Sequence, residues 1–174
     1  MGKVPLDQLV KEQNVEVEWK AFELRPEGVE IPPKTKEYIE RAKAGVETLS
    51  TQYGLNMQWN DKSKHSRHAL EGAKFAKVKG LENEYHDAIF VAQFQEVKNI
   101  DDLETLISLG KQIGLNEEEF RQALETRKYE EDVLSDHQEA TQLGITGIPC
   151  FVSGNRGVMG AQTYESLLEL IDND

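Results

Sequence analysis

The sequence predicts an α/β chain in which a short strand region near each end brackets a long run of helix. Three observations carry this. Residues 15–22, VEVEWKAF, set Val15, Val17, Trp19 and Ala21 against Glu16, Glu18, Lys20 and Phe22, the period of a strand with one strongly apolar face. Residues 148–159 join IPCFV to VM through SGNRG, which is the turn chemistry of a hairpin. Between them, from about Lys36 to Leu143, nearly every residue follows helical spacing, with cuts at Gly54, Gly80, KNIDD, GLNEEE and roughly Lys128.

Taken in order, residues 3–13 form a short opening helix in which Pro5 is tolerated because it lies in the first turn. Asn14 breaks it, and the strand region follows directly. RPEGVEIPPKT is turn and extended chain, since each proline fixes φ and pushes its predecessor out of the α region. Within the helical block, Asn116 followed by Glu119 marks a helix start, an amide oxygen capping free N–H groups with acidic residues at the positive end. AQTYESLLELI closes the chain as an amphipathic helix. A helix that opens a chain and feeds a strand looks like the second half of a βαβ unit, because a crossover helix ordinarily leaves a parallel strand. The first strand of the fold is therefore expected to be missing.

The chain has 174 residues, enough to bury a real core, and its 38% hydrophobic and 30% charged content fits a folded chain. A formal net charge of −12 repels phosphate backbones and anionic lipid alike, so no nucleic-acid and no membrane partner is expected. No apolar run approaches bilayer length, MGKVPLDQLVKEQ lacks the parts of a signal peptide, and MGKVPL lacks the serine or threonine of a myristoylation signal. The location expected on these grounds is the cytoplasm. The single cysteine, Cys150, forbids an internal disulfide and any Cys-x-x-Cys pair.

The tail LGITGIPCFVSGNRGVMGAQTYESLLELI, the segment VEVEWKAFELRPEG and the helical stretch from SRHALEG to KQIGL resemble DsbA-like thioredoxin-fold proteins of the FrnE type. Those proteins are similar in turn to 2-hydroxychromene-2-carboxylate isomerases. The ordered run Gly144, Gly147, Pro149, Gly157, Gly160, Ala161 and Gln162 is the most specific part of the likeness. The resemblance implies a thioredoxin-like mixed sheet with a large helical insertion domain, divided as an incomplete thioredoxin-like domain over 1–30 and 143–174 and an insertion over 31–142. It implies thiol-disulfide exchange on protein or small thiol substrates. Family members usually read Cys-Pro-x-Cys-Tyr, one further residue, then Gly-Lys, and here Gly2 and Lys3 match that Gly-Lys. The chain thus starts just past the expected dithiol, no catalytic residue is assigned within it, and the absent strand is expected between VEVEW and IPCFV.

The resemblance also implies a cis peptide at Pro149, leaving the backbone of Ile148 free to pair with an extended substrate. Ile148, Pro149 and Cys150 are the candidate substrate-binding residues, and no cofactor is expected. Cys150 has no neighbouring Lys, Arg or His and no helix N-terminus in sequence to favour a thiolate, so packing is its expected role. His65, His68, His86 and His137 read as surface histidines, with no metal site expected. Tyr85, Phe90 and Phe94 read as core, and the carboxylates of NEEEF and YEED as a solvated face. Two other functions remain open: a non-catalytic domain that binds peptide or its own twin through an unfilled sheet edge, and a glutathione-dependent isomerase or transferase of the kappa type.

Overall fold

The computed structural model describes residues 1–30 and 32–172. Its elements run α1 (Lys3–Gln13), α2 (Lys36–Gln52), α3 (Arg67–Val78), α4 (Glu82–Phe94), α5 (Leu103–Gln112), α6 (Glu117–Glu125), α7 (Glu130–Gln142), β1 (Cys150–Ser153), β2 (Arg156–Met159) and α8 (Tyr164–Asp172). Local chemistry sets many of the boundaries. Asn14 adopts a left-handed φ of 51° and ends α1. Thr35, Asp102 and Asn116 each accept a backbone N–H through the side chain to start α2, α5 and α6. Gly80, at φ 72°, ends the α3 turn in a conformation that side chains with a Cβ rarely adopt.

Only β1 and β2 form a sheet among the described residues, antiparallel and in the register Cys150↔Met159 to Ser153↔Arg156. Gly154 alone takes a positive φ in the two-residue turn, which is what a type II′ hairpin asks of its first position. The strand predicted over 15–22 is corrected here: the segment is extended but joins no ladder. Its side chains still alternate, with Val15, Val17 and Trp19 half-buried, Ala21 buried, and Glu16, Glu18 and Lys20 exposed. The period survives because it follows burial, whereas a ladder needs a neighbouring strand. This is the architecture of a thioredoxin-like layer with a large helical insertion and its first strand missing.

Helix α8 packs on α1 and on both strands, and Arg156 Nη1 reaches the Glu169 carbonyl at 3.3 Å. The main core lies in the helical block, where α3, α4, α5 and α6 enclose Phe75, Tyr85, Leu106, Phe120 and Leu124. Phe120 sits 5.2 Å from Phe75 and 5.8 Å from Tyr85 between ring centroids. Two glycines make this ring packing possible. A Cβ on Gly110 would lie 2.6 Å from the Phe120 ring, and one on Gly72 would collide with the Tyr85 hydroxyl. That hydroxyl is buried without a hydrogen-bond partner, so the close approach of α3 is bought by shape alone. Phe94 departs from its predicted core role: α4 turns Tyr85, Ile89 and Ala92 inward and leaves Phe94 39% exposed.

The interlock predicts that Gly72→Ala lowers stability by about 1–3 kcal/mol through overpacking. Urea unfolding checks it, and adding Tyr85→Phe recovers part of the loss by removing the hydroxyl that collides.

Candidate functional site

The start of α1 rests on the loop that enters β1. A Cβ on Gly2 would lie 3.1 Å from Pro149 Cγ and 3.4 Å from the Phe151 ring. The Ile148–Pro149 peptide is cis. Ile148 is 49% exposed, and its backbone N–H and C=O bond to no group among the described residues. The Pro149 carbonyl accepts from the Gly160 amide at 2.8 Å, closing the loop onto the end of the hairpin. Lys3 donates to Asp7 at 2.7 Å and meets Asp87 of α4 at 3.0 Å. The first turn of α1 is thereby held between the proline loop and α4.

Of the three residues singled out from sequence, Pro149 touches the helix start, with Ile148 and Cys150 on either side of it in the chain. Cys150 is free and half-buried, and burial pushes its thiol above the ordinary value. That is the reverse of what a nucleophilic thiolate needs. Among the described residues no group of three His, Cys, Asp or Glu side chains is placed to hold a metal ion.

A second feature escaped sequence reading. Residues 18–27, which have no ladder, are strapped to α3 and α7 by polar contacts. The Ala21 amide donates to Asp136 Oδ2 at 2.7 Å and the Glu23 amide to His137 Nδ1 at 3.2 Å. Arg67 Nη2 binds Glu23 at 2.6 Å and its Nη1 binds Glu130 at 2.9 Å. Arg127 gathers Glu71 at 2.8 Å, Glu27 at 2.9 Å and Glu130 at 3.0 Å. Lys20 meets Glu139 at 3.1 Å, Lys77 meets Glu18 at 3.1 Å, and Lys74 pairs with Asp136. Glu71 is 1% exposed, and burial raises its carboxyl above the usual range against the pull of Arg127. Glu130 was predicted to be solvated, but these two arginines draw it inward. Only the i,i+3 spacing of Arg127 and Glu130 is visible along the chain; the other partners are brought together by the fold.

The histidines are likewise less exposed than their sequence reading: all four are half-buried. His86 lies against Trp19 with ring centroids 4.3 Å apart. Its Nε2 is buried without a partner, and burial depresses its pKa from 6.5 to about 4. The unfolded imidazole takes its proton near 6.5 while the folded one stays neutral to about 4. The unfolded chain therefore binds more protons in that window, and the contribution of His86 is full above it and lost as pH falls through it. His86→Phe keeps a ring beside Trp19 and removes the titration. Urea unfolding from neutral pH to about pH 4 should show the variant losing less stability than the parent, by up to about 3 kcal/mol.

A helix start seated on a cis-proline loop, beside a hairpin backed by a closing helix that also packs on the first one, defines a thioredoxin-fold protein. The model of the DSBA-like thioredoxin domain matches residues 1–172, and the chain belongs to that family. The YwbO protein of Bacillus subtilis (strain 168) is 32% identical over 168 residues, spanning 92% of this chain and 83% of that one. The crystal structure of a "probable DsbA oxidoreductase" from Streptomyces coelicolor is similar at a TM-score of 0.86 and 29% identity, covering 99% of this chain and 82% of that one. A 2-hydroxychromene-2-carboxylate isomerase is similar at a TM-score of 0.78 and 17% identity, over 95% of this chain and 82% of its own, and shows the fold alone.

The lineage is enzymatic, but one cysteine cannot form the catalytic dithiol, so the dithiol is absent from this chain. The match also overturns the cytoplasmic expectation, because disulfide oxidoreductases of this family typically act in extracytoplasmic, oxidising compartments. That expectation rested on the residues at the start of the chain, which carry no information about a leader. No helix among the described residues is long and apolar enough to cross a membrane.

Proposed function

We propose that this chain is the scaffold of a FrnE-type thiol-disulfide oxidoreductase, with residues 1–30 and 143–174 as its incomplete thioredoxin-like unit and 31–142 as its helical insertion. The observation that carries the reading is the seat of Gly2 on Pro149 and Phe151, beside the free backbone of Ile148. A thiolate at the start of α1 would lie at the positive end of the helix, where negative charge is favoured. It would attack a substrate disulfide, forming a mixed disulfide and expelling the other sulfur as a thiolate. Ile148 would hold the substrate's extended backbone by β-type hydrogen bonds, with Pro149 and Cys150 lining the contact. Burial of the Cys150 thiol supports a packing role for it over a nucleophilic one.

A second reading, a non-catalytic domain that binds an extended peptide or a second copy of itself, is favoured by the backbone of residues 15–20, which bonds to no group among the described residues. An open edge of this kind is a template for another strand.

The chain as it stands should give no turnover in a disulfide-reduction assay, with Cys150→Ser behaving identically; a rate that this substitution abolishes would overturn the assignment of Cys150. A strand ending in Cys-Pro-x-Cys-Tyr, fused ahead of Met1, should raise thermal stability and give catalytic disulfide exchange. A folded fusion without exchange activity would leave the non-catalytic reading in its place.

A further inference from the structure

We propose that the cleft between residues 24–30 and the start of α2 binds a small amphipathic anion, an apolar or aromatic body that carries one carboxylate. The cleft has a volume of about 480 Å³, within the range of small-molecule sites. Leu24, Pro26, Val29, Pro32, Pro33 and Tyr38 give it apolar walls. None of its lining residues belongs to the proline loop before β1, so the site is additional to the oxidoreductase site proposed above.

Local bonds hold both walls in place. The Val29 amide donates to the Pro26 carbonyl at 3.2 Å, and Gly28, at φ 80°, fills the left-handed position of that turn. The Arg25 carbonyl faces His65 Nδ1 at 3.2 Å, and Glu27 meets Arg127 at 2.9 Å. Across the cleft, Thr35 Oγ1 accepts the Tyr38 amide at 3.2 Å and fixes the first turn of α2. The three prolines have fixed φ angles, so a ligand has little ordering left to impose. Leu24, Val29 and Tyr38 nevertheless stay 60%, 56% and 53% exposed. Single exposed apolar side chains are ordinary, but these three share one concavity.

Charge selects the ligand. The chain carries a net charge of −12, yet the cleft sets Arg25 and Lys34 against Glu30 alone. Among the described residues, Arg25 is the arginine whose guanidinium has no hydrogen bond or ion pair. Arg41, Arg67, Arg121 and Arg127 each bind a carboxylate, and Arg156 binds a carbonyl. The Lys34 ammonium lies 4.8 Å from the centre of the Tyr38 ring and likewise has no carboxylate partner among the described residues. A guanidinium fork matches the two oxygens of a carboxylate, and the proline, aliphatic and ring surfaces beside it suit an apolar body. An inorganic anion would leave those walls in water, and an uncharged apolar molecule would leave both cations unpaired.

Titrating the intact chain with 2-naphthoate, followed by NMR amide shifts, tests this. Binding should saturate with a Kd below about 1 mM and move the Arg25, Val29 and Tyr38 amides while leaving Leu106 in α5 unmoved. The uncharged isostere 2-naphthylmethanol should bind about tenfold more weakly, and inorganic phosphate should not displace the naphthoate. Arg25→Gln should weaken naphthoate about tenfold and leave the alcohol unchanged. The Arg25 guanidinium holds nothing else in the fold, so this variant keeps the parent's amide shifts outside the cleft. Absence of saturable binding overturns the proposal, as does saturation that moves amides elsewhere and not these three. Equal affinity for the acid and the alcohol, displacement by phosphate, or unchanged naphthoate binding in the folded Arg25→Gln chain overturns it too.

Discussion

Where the Arg67 guanidinium meets the Glu23 carboxylate, 2.6 Å apart and nearly out of reach of water, the course of residues 18–27 is decided. Taking two charges from water costs several kcal/mol each, and their attraction repays this only when the remaining lone pairs and protons are also bonded. Here Glu23 Oε1 and Arg67 Nε lack such bonds. The pair is thus better understood as fixing position than as adding stability. A segment with the side-chain period of a strand but no partner strand has few other ways to be held. Backbone donors at Ala21 and Glu23 find side-chain acceptors on α7, and the charged groups of α3 and α7 supply the remainder.

That substitution of side chains for a ladder explains the mixture of continuity and loss in the thioredoxin-type layer. The α1 start, the proline loop, the hairpin and α8 form one packed group. The extended segment is anchored instead to the helical insertion. Lys3 bridges the two, since its ammonium reaches Asp87 on α4 from the first turn of α1. Cations are disfavoured at the N-terminal end of a helix, and here Asp7 and Asp87 offset the mismatch.

Much of this was legible in the sequence wherever the determinant was local. Asn14 and Asn116 stop and start helices through their own backbone and side-chain geometry, and SGNRG turns the hairpin where its composition says it should. Residues 15–22 misled because alternation reports which side chains are covered, whereas pairing depends on a second segment that the period cannot reveal. The proline loop could be located as a candidate site from the ordered glycines around it, but not its contact with Gly2. His137 and Glu23, 114 residues apart, carry no mutual mark along the chain. The same holds for Arg67 and Glu23, 44 residues apart. Phe94 follows the helical stripe yet lies beyond the core that Tyr85 and Ile89 fill, since spacing names a helix face without saying how far its cover extends.

The two glycines beneath the aromatic rings have a consequence for how such a sequence can drift. Position 72 is coupled to position 85, and position 110 to position 120, because each pair shares one volume. A lineage that acquires a methyl group at 72 must first, or soon after, shed bulk at 85, and the same holds for the other pair. These four sites are therefore free to change only two by two, and their covariation would trace the approach of α3 and α5 to the rings even where all other similarity has faded.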